Sequence, residues 1–259
     1  MSIPPVVPMQ GAELTAREPQ KRRARGEGGI EQRWNRLILV LLLTLTFGTG
    51  IVDAIGYLSL NHVFIGNMTG NVAILGMALI GGDGLPVVGP LAALLCFALG
   101  AAVSGLVLRR TSSTWSVSGA ILLLLAGLIV IAMGALSLLQ NDRPDSGAQV
   151  LMSSFSAIAM GVQALVARKL AVRDVPTVVV TSTLTALAGE LFHGSNRRFF
   201  NRRSAAILAI LLGAAAGAVI VRLSLGGALI YSGLLILVVS FIGHVGSRPM
   251  RSKGLEEVI

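Results

Sequence analysis

Eight long apolar runs, separated by short polar or basic segments, limit what this chain can fold into more than any other feature. They cover 37–60, 63–80, 87–108, 117–139, 148–167, 175–192, 204–221 and 225–245. Most reach the roughly 20 residues that a helix needs to cross a hydrocarbon layer of about 30 Å. In that layer the backbone must satisfy its own hydrogen bonds, which favours helices. The fold class read from this pattern is all-α, a polytopic membrane helix bundle. Composition agrees: 54% of residues are hydrophobic and 13% charged, with a mean hydropathy of +0.79. A soluble domain is about one-quarter charged. The pattern excludes a soluble enzyme, a disordered protein and a disulfide scaffold. Cys96 stands alone, so neither an internal disulfide nor a cysteine metal cluster can form.

The second and sixth runs differ from the others. They are the shortest and the most polar. The second holds Asn67, Thr69 and Asn71; the sixth holds Thr177, Thr181, Ser182, Thr183, Thr185 and Glu190. The second four runs echo the first four at an offset of about 110, in segment order more than in residue identity. Gly50-Ile51-Val52-Asp53-Ala54 is echoed by Gly161-Val162-Gln163-Ala164, and Thr69-Gly70-Asn71 by Thr181-Ser182-Thr183.

Charge chooses between two topologies. The net charge is +9. The basic residues lie between apolar runs, where they set topology rather than bind nucleic acid. Aromatic residues are 5%, too few for base-stacking platforms. If all eight runs cross, Arg109 and Arg110 face away from the basic N-terminal tail. If the second and sixth instead enter and return, all but Arg143 and Arg222 of the 21 Lys and Arg share one side. Cationic loops stay cytoplasmic. The second solution therefore predicts six spans plus two short re-entrant or broken helices, with both termini cytoplasmic. An odd number of spans per unit inverts the second unit, which gives a 3+3 inverted repeat. Eight crossings with parallel repeats is the alternative. The expected organisation is a disordered basic tail over 1–35, a first repeat over 36–140, a second over 141–246 and a cytoplasmic tail over 247–259.

Asp53 is the most informative single residue. A charge at such depth costs about 2.5–3.5 kcal/mol even on insertion scales, so it should face the bundle interior, either paired or protonated. One role is proton coupling; the other is a hydrogen bond that pins helices. Gln163, read as its counterpart, keeps hydrogen-bonding capacity without charge. Around Gly66 and Gly70, Asn67, Thr69 and Asn71 suit a helix start inside the membrane, whose positive dipole end points at a polar or anionic ligand. Thr181 and Thr183, with Ser182 and Thr185, would form the facing half-site. The competing reading is that these groups cap their own helices. Glu190 and His193, His62, His244, Trp34 and Trp115 read as interfacial residues. Arg197, Arg198, Arg202 and Arg203 read as a cytoplasmic anchor. Gly213 and Gly217 mark a helix-packing face. Three scattered histidines make no metal site, and no nucleotide loop, nucleophile–base pair or cofactor motif is present.

At Gly50-Ile51-Val52-Asp53-Ala54 and Phe64-Ile65-Gly66-Asn67-Met68-Thr69-Gly70-Asn71 the sequence resembles the YoaK-type family of bacterial integral membrane proteins, a domain of unknown function. The family's second half shows a Gly-x-Gln element and a Thr-rich element, present here as Gly161-Val162-Gln163 and Thr181-Ser182-Thr183-Leu184-Thr185. Ser182 stands where the family usually has glycine. The resemblance spans roughly 37–245 and implies a multi-pass protein of the bacterial cytoplasmic membrane. The expected function is a secondary transporter or permease-like carrier of a small polar or anionic solute, with Asp53 coupled to protons. A non-transporting scaffold or partner-binding protein is the alternative, and an enzyme is not expected. The expected partners are the lipid bilayer and an unidentified solute; homo-oligomer formation is left open.

Overall fold

The computed structural model describes residues 11–82, 84–111, 115–170, 185 and 202–247, with only the backbone described at 11–31 and 203. Within them run seven helices: α1 Gly11–Ser59, α2 Met68–Leu79, α3 Val88–Leu108, α4 Val117–Leu139, α5 Ser146–Leu170, α6 Arg202–Leu223 and α7 Leu225–Gly246. Six are long and apolar enough to cross a membrane; in α1 the apolar part is Gln32–Ser59. No strand occurs among the described residues. The 1–35 tail, expected to be disordered, is helical from Gly11. Its Ala, Glu, Gln, Lys and Arg are good helix formers, and the chain enters the apolar span without a break. The sixth apolar run lies outside the described residues, apart from Thr185, which is helical and exposed.

Glycines fix how the spans pair. Lipid gives helices no hydrophobic reason to associate, so close backbone approach between small residues carries much of the packing. Gly213 of α6 abuts the Phe47 carbonyl of α1, and Gly217 abuts Ile51. The numbers rise together, so α1 and α6 run parallel. Gly100 of α3 abuts the Ile158 carbonyl of α5, and Gly105 approaches Leu165 further along; α3 and α5 are parallel too. Between α4 and α7 the order reverses. Gly134 abuts the Gly226 carbonyl and Gly127 the Gly233 carbonyl, and Ser240 Oγ donates to the Ala120 carbonyl at 2.7 Å. This antiparallel seam uses one small residue from each helix every two turns.

These directions decide the topology. α7 starts one residue after α6 and ends with Gly246 against Trp34 and Leu37, near the start of the α1 span. It therefore opposes α1, and α4, which opposes α7, runs with α1. The end of α5 returns to the start of α4, where Val166 packs by Gly119. So α5 and its parallel partner α3 oppose α1. Consecutive spans α1 and α3 are thus antiparallel, and α2 between them makes no crossing. Its twelve residues are about 18 Å long, well short of the membrane.

A polar latch ties the loops on the side away from the tail. Asn141 and Asp142 both take positive φ, at 54° and 55°, turning the chain out of α4. The Asp142 carboxylate then accepts from Ser137 Oγ at 2.7 Å, Ser224 Oγ at 2.6 Å and the Gly226 amide at 2.8 Å. One side chain joins the end of α4 to the start of α7. Burial pushes the carboxyl up, but the Ser224 and Ser137 hydroxyls and the Gly226 and Leu225 amides outweigh it and hold it below the ordinary carboxylate range. A depressed folded-state value means the latch stabilises the protein above the ordinary carboxylate range, and this stabilisation fades as pH falls through the folded value. Asp142→Asn is expected to melt a few degrees lower near neutral pH and to lose that deficit in acid. Parallel melting curves of the two proteins across pH would contradict this.

Candidate functional site

The site forms where α1 meets the non-helical segment before α2. After Ser59 the chain turns through Asn61 and His62, at φ 59° and 58°, with the Gly56 carbonyl accepting from the Leu60 and Val63 amides. It then dips back along α1. Asp53 Oδ1 accepts from the Gly66 amide at 2.6 Å and the Asn67 amide at 3.2 Å. Asp53 is six residues before the end of α1, about 9 Å down its axis. The buried Ile65–Gly66 segment that leads into α2 is therefore drawn back beside α1 and held by a carboxylate 8% exposed. Two amides at a helix start, together with its dipole, are what a buried carboxylate requires. Gly66 leaves room for this approach: a Cβ there would sit 2.9 Å from Thr49 Cγ2 and force that side chain to shift.

The two asparagines hold this break closed. Asn67 is the N-cap of α2, its side chain accepting from the Gly70 amide at 3.4 Å. Asn71, fully buried, accepts from the Phe64 amide at 2.9 Å and donates to the Phe64 carbonyl at 2.6 Å. Its amide thus replaces a backbone partner for a residue that belongs to no helix. Phe64 in turn stacks on Tyr57 at 5.1 Å. Thr69 is exposed on the first turn of α2. Gln163 comes from α5 to the same face of α1, where its Nε2 donates to Thr49 Oγ1 at 3.2 Å and the Leu45 carbonyl at 3.4 Å. Met160, one turn earlier, reaches towards Gly66.

The structure therefore brings Asp53, Asn67 and Asn71 into one hydrogen-bonded break and sets Gln163 next to it through Thr49. Thr181 and Thr183 lie outside the described residues, as do Ser182, Glu190, His193, Arg197 and Arg198. The sequence reading did not single out Thr49, whose hydroxyl also bonds the Leu45 carbonyl at 2.9 Å. Its signal was its position one helical turn before Asp53, on the same face. Among the described residues no group of three or more His, Cys, Asp and Glu could hold a metal ion.

Six apolar helices and a short seventh beside a buried carboxylate define a polytopic α-helical membrane protein with a broken-helix site. The chain belongs to the family described as "Protein of unknown function (DUF1275)", whose model matches residues 41–242. It is similar to the UPF0700 transmembrane protein YoaK of Bacillus subtilis (strain 168), with 36% identity over 195 residues, covering 73% of this chain and 84% of that protein. No solved structure matches it. The family expected from the two motifs is the family found, and the chain is an integral, multi-pass membrane protein.

Proposed function

We propose that this protein is a secondary carrier of a small polar or anionic solute, that Asp53 is its proton-coupling group, and that it is not an enzyme. The observation that carries the reading is the non-helical segment before α2, held at depth by the buried Asp53. Irregular backbone inside a membrane persists where it is enclosed by protein or lines a polar path, and carriers use such broken helices to bind solutes. The relation between the two halves supports it further. Gly50 meets Ile210 and Ala214 on α6 as Gly161 meets Phe97 and Ala101 on α3; Gly213 meets Phe47 as Gly100 meets Ile158. The contacts are equivalent at offsets of 111 to 113 residues, and the three spans of each half run in opposite senses. Both facts favour an inverted repeat able to rock between two accesses. In that register Gln163 matches Val52, one position from Asp53. On this reading the tail side, and both termini, face the cytoplasm of a bacterial inner membrane, and the clustering of basic residues in the loops on that side supports it.

Asp53→Asn tests the reading. Asparagine keeps an oxygen for the Gly66 and Asn67 amides but cannot titrate. Expected in proteoliposomes is a loss of proton-driven uptake of at least tenfold, with the melting temperature nearly unchanged. Uptake that responds to a pH gradient as in the wild type would refute the coupling. The scaffold reading has one observation of its own, since Asn71 spends both ends of its amide on Phe64; it predicts no uptake of any solute.

A further inference from the structure

The parallel helices α3 and α5 end together on the tail side, and four basic residues gather there. Lys169, in the last turn of α5, reaches across to the end of α3. Its Nζ donates to the Leu108 carbonyl and, at 3.5 Å, to the Thr111 carbonyl. Thr111 Oγ1 donates to the same Leu108 carbonyl at 2.8 Å. The last carbonyls of a helix lack partners and attract cations, so Lys169 is spent on the fold. Its two acceptors bracket Arg109 and Arg110, and its own neighbour in the chain is Arg168.

These three arginines are not spent. Arg109, Arg110 and Arg168 are exposed and make no hydrogen bond or ion pair with the described residues. The acids with described side chains are Asp53, Asp142 and Asp145, and all three lie towards the opposite side of the membrane. Like charges without a counter-charge repel one another, and a bound anion relieves them.

Depth and shape say which anion fits. α3 has 21 residues, about 31 Å of helix, which matches a hydrocarbon layer of about 30 Å. The arginines that follow it therefore sit at headgroup level. Arg109 keeps helical angles, φ −57° and ψ −31°. The exposed row Leu99, Val103 and Leu106 thus runs on to Arg110 at spacings of four, three and four residues, along one face. An apolar row that ends in a cation suits an acyl chain with a phosphate at its head. Guanidinium groups hold phosphate by paired hydrogen bonds, and basic sites between membrane helices bind anionic headgroups.

We propose that Arg109, Arg110 and Arg168 form a binding site for an anionic phospholipid of the tail-side leaflet. Its phosphate lies on the guanidinium groups and an acyl chain follows Leu106, Val103 and Leu99. Lys169 is the positioning residue, because it fixes where α3 ends. The site is separate from Asp53 and does not depend on the carrier reading.

The test is thermal unfolding of the purified, delipidated full chain in a neutral detergent, titrated with phosphatidylglycerol or with phosphatidylcholine in the same micelles. Expected is a saturable rise of a few degrees with phosphatidylglycerol and none with phosphatidylcholine. The double variant Arg109→Gln/Arg110→Gln should melt like the wild type without lipid and need at least tenfold more phosphatidylglycerol for half of its rise. Arg33→Gln/Arg36→Gln removes as much charge at the start of the α1 span and should titrate like the wild type. Equal rises with the two lipids, or equal weakening in the two double variants, overturns the site, because the charge then acts only as a diffuse anchor. A rise with inorganic phosphate as large as that with phosphatidylglycerol assigns the cluster to a free anion and overturns the lipid. If the Arg109/Arg110 variant fails to fold, Arg168→Gln on α5 carries the same test: at least a threefold weakening is expected, and an unchanged titration refutes the site.

Discussion

Gly161→Val and Gly213→Val are expected to yield little or no monodisperse protein in detergent, whereas Gly76→Ala should purify and melt like the wild type. The two valines would be placed where helix backbones touch. A Cβ at Gly161 would press on the Phe97 carbonyl and come 3.0 Å from the Ala101 amide nitrogen, and at Gly213 it would press on the Phe47 carbonyl. The obstruction is main chain and cannot move aside as a flexible side chain would. Each substitution must separate two whole helices. Overpacking a core costs about 1–3 kcal/mol when side chains can adjust, and more when they cannot. In a membrane the loss is compounded, because close approach is what holds the helices together. Gly76 of α2 has nothing within 4 Å of its Cβ direction, and alanine there restores about 1 kcal/mol of helix propensity. Fluorescence size-exclusion profiles of the three variants decide the matter. A sharp wild-type peak and melting temperature for Gly161→Val or Gly213→Val would mean that the α3/α5 and α1/α6 seams do not rest on backbone contact.

Much of the architecture was legible because hydrocarbon allows few solutions. Apolar length located the six spans to within a few residues, and the positions of Arg109 and Arg110 already argued that the second run does not cross, as the directions of α1 and α3 now require. Asp53 and Gly66 were conspicuous because a carboxylate and a flexible backbone are both expensive at depth. The pairing of spans was not legible. The chain has 31 glycines, and nothing in Gly213 or Gly217 says that the facing residues are Phe47 and Ile51 on α1. Nor does an amide state its partner. Asn71 could bond a solute or a backbone, and only the position of Phe64, seven residues earlier outside any helix, shows which it bonds. Asp142 carries no local sign that it joins the end of α4 to the start of α7. Its partners, Ser224 and Gly226, lie more than eighty residues away, beyond the reach of any local pattern.

Asn71→Leu is expected to lower the melting temperature by about 10 °C, while Thr69→Val should leave it nearly unchanged. Leucine is close to asparagine in size but can neither accept from the Phe64 amide nor donate to its carbonyl, bonds now made at 2.9 and 2.6 Å. Both groups would be left buried and unmatched, each costing about 1–3 kcal/mol, and in a protein of this size about 2–4 °C is lost per kcal/mol. Thr69 is exposed at the start of α2, so valine there disturbs little. The two residues stand two positions apart in one motif but differ in what their side chains have left to give. Asn71 has nothing to spare, so it acts by fixing where the α2 start lies; the exposed Thr69 is the residue that the proposed carrier would turn to its solute. Asn71→Leu should therefore lose stability and uptake together, whereas Thr69→Val should lose solute-induced stabilisation at constant intrinsic melting temperature. If Thr69→Val destabilised the protein as much as Asn71→Leu, or if Asn71→Leu melted like the wild type, the division of labour inside the motif would be wrong and the Asp53 break would have to be held by other groups.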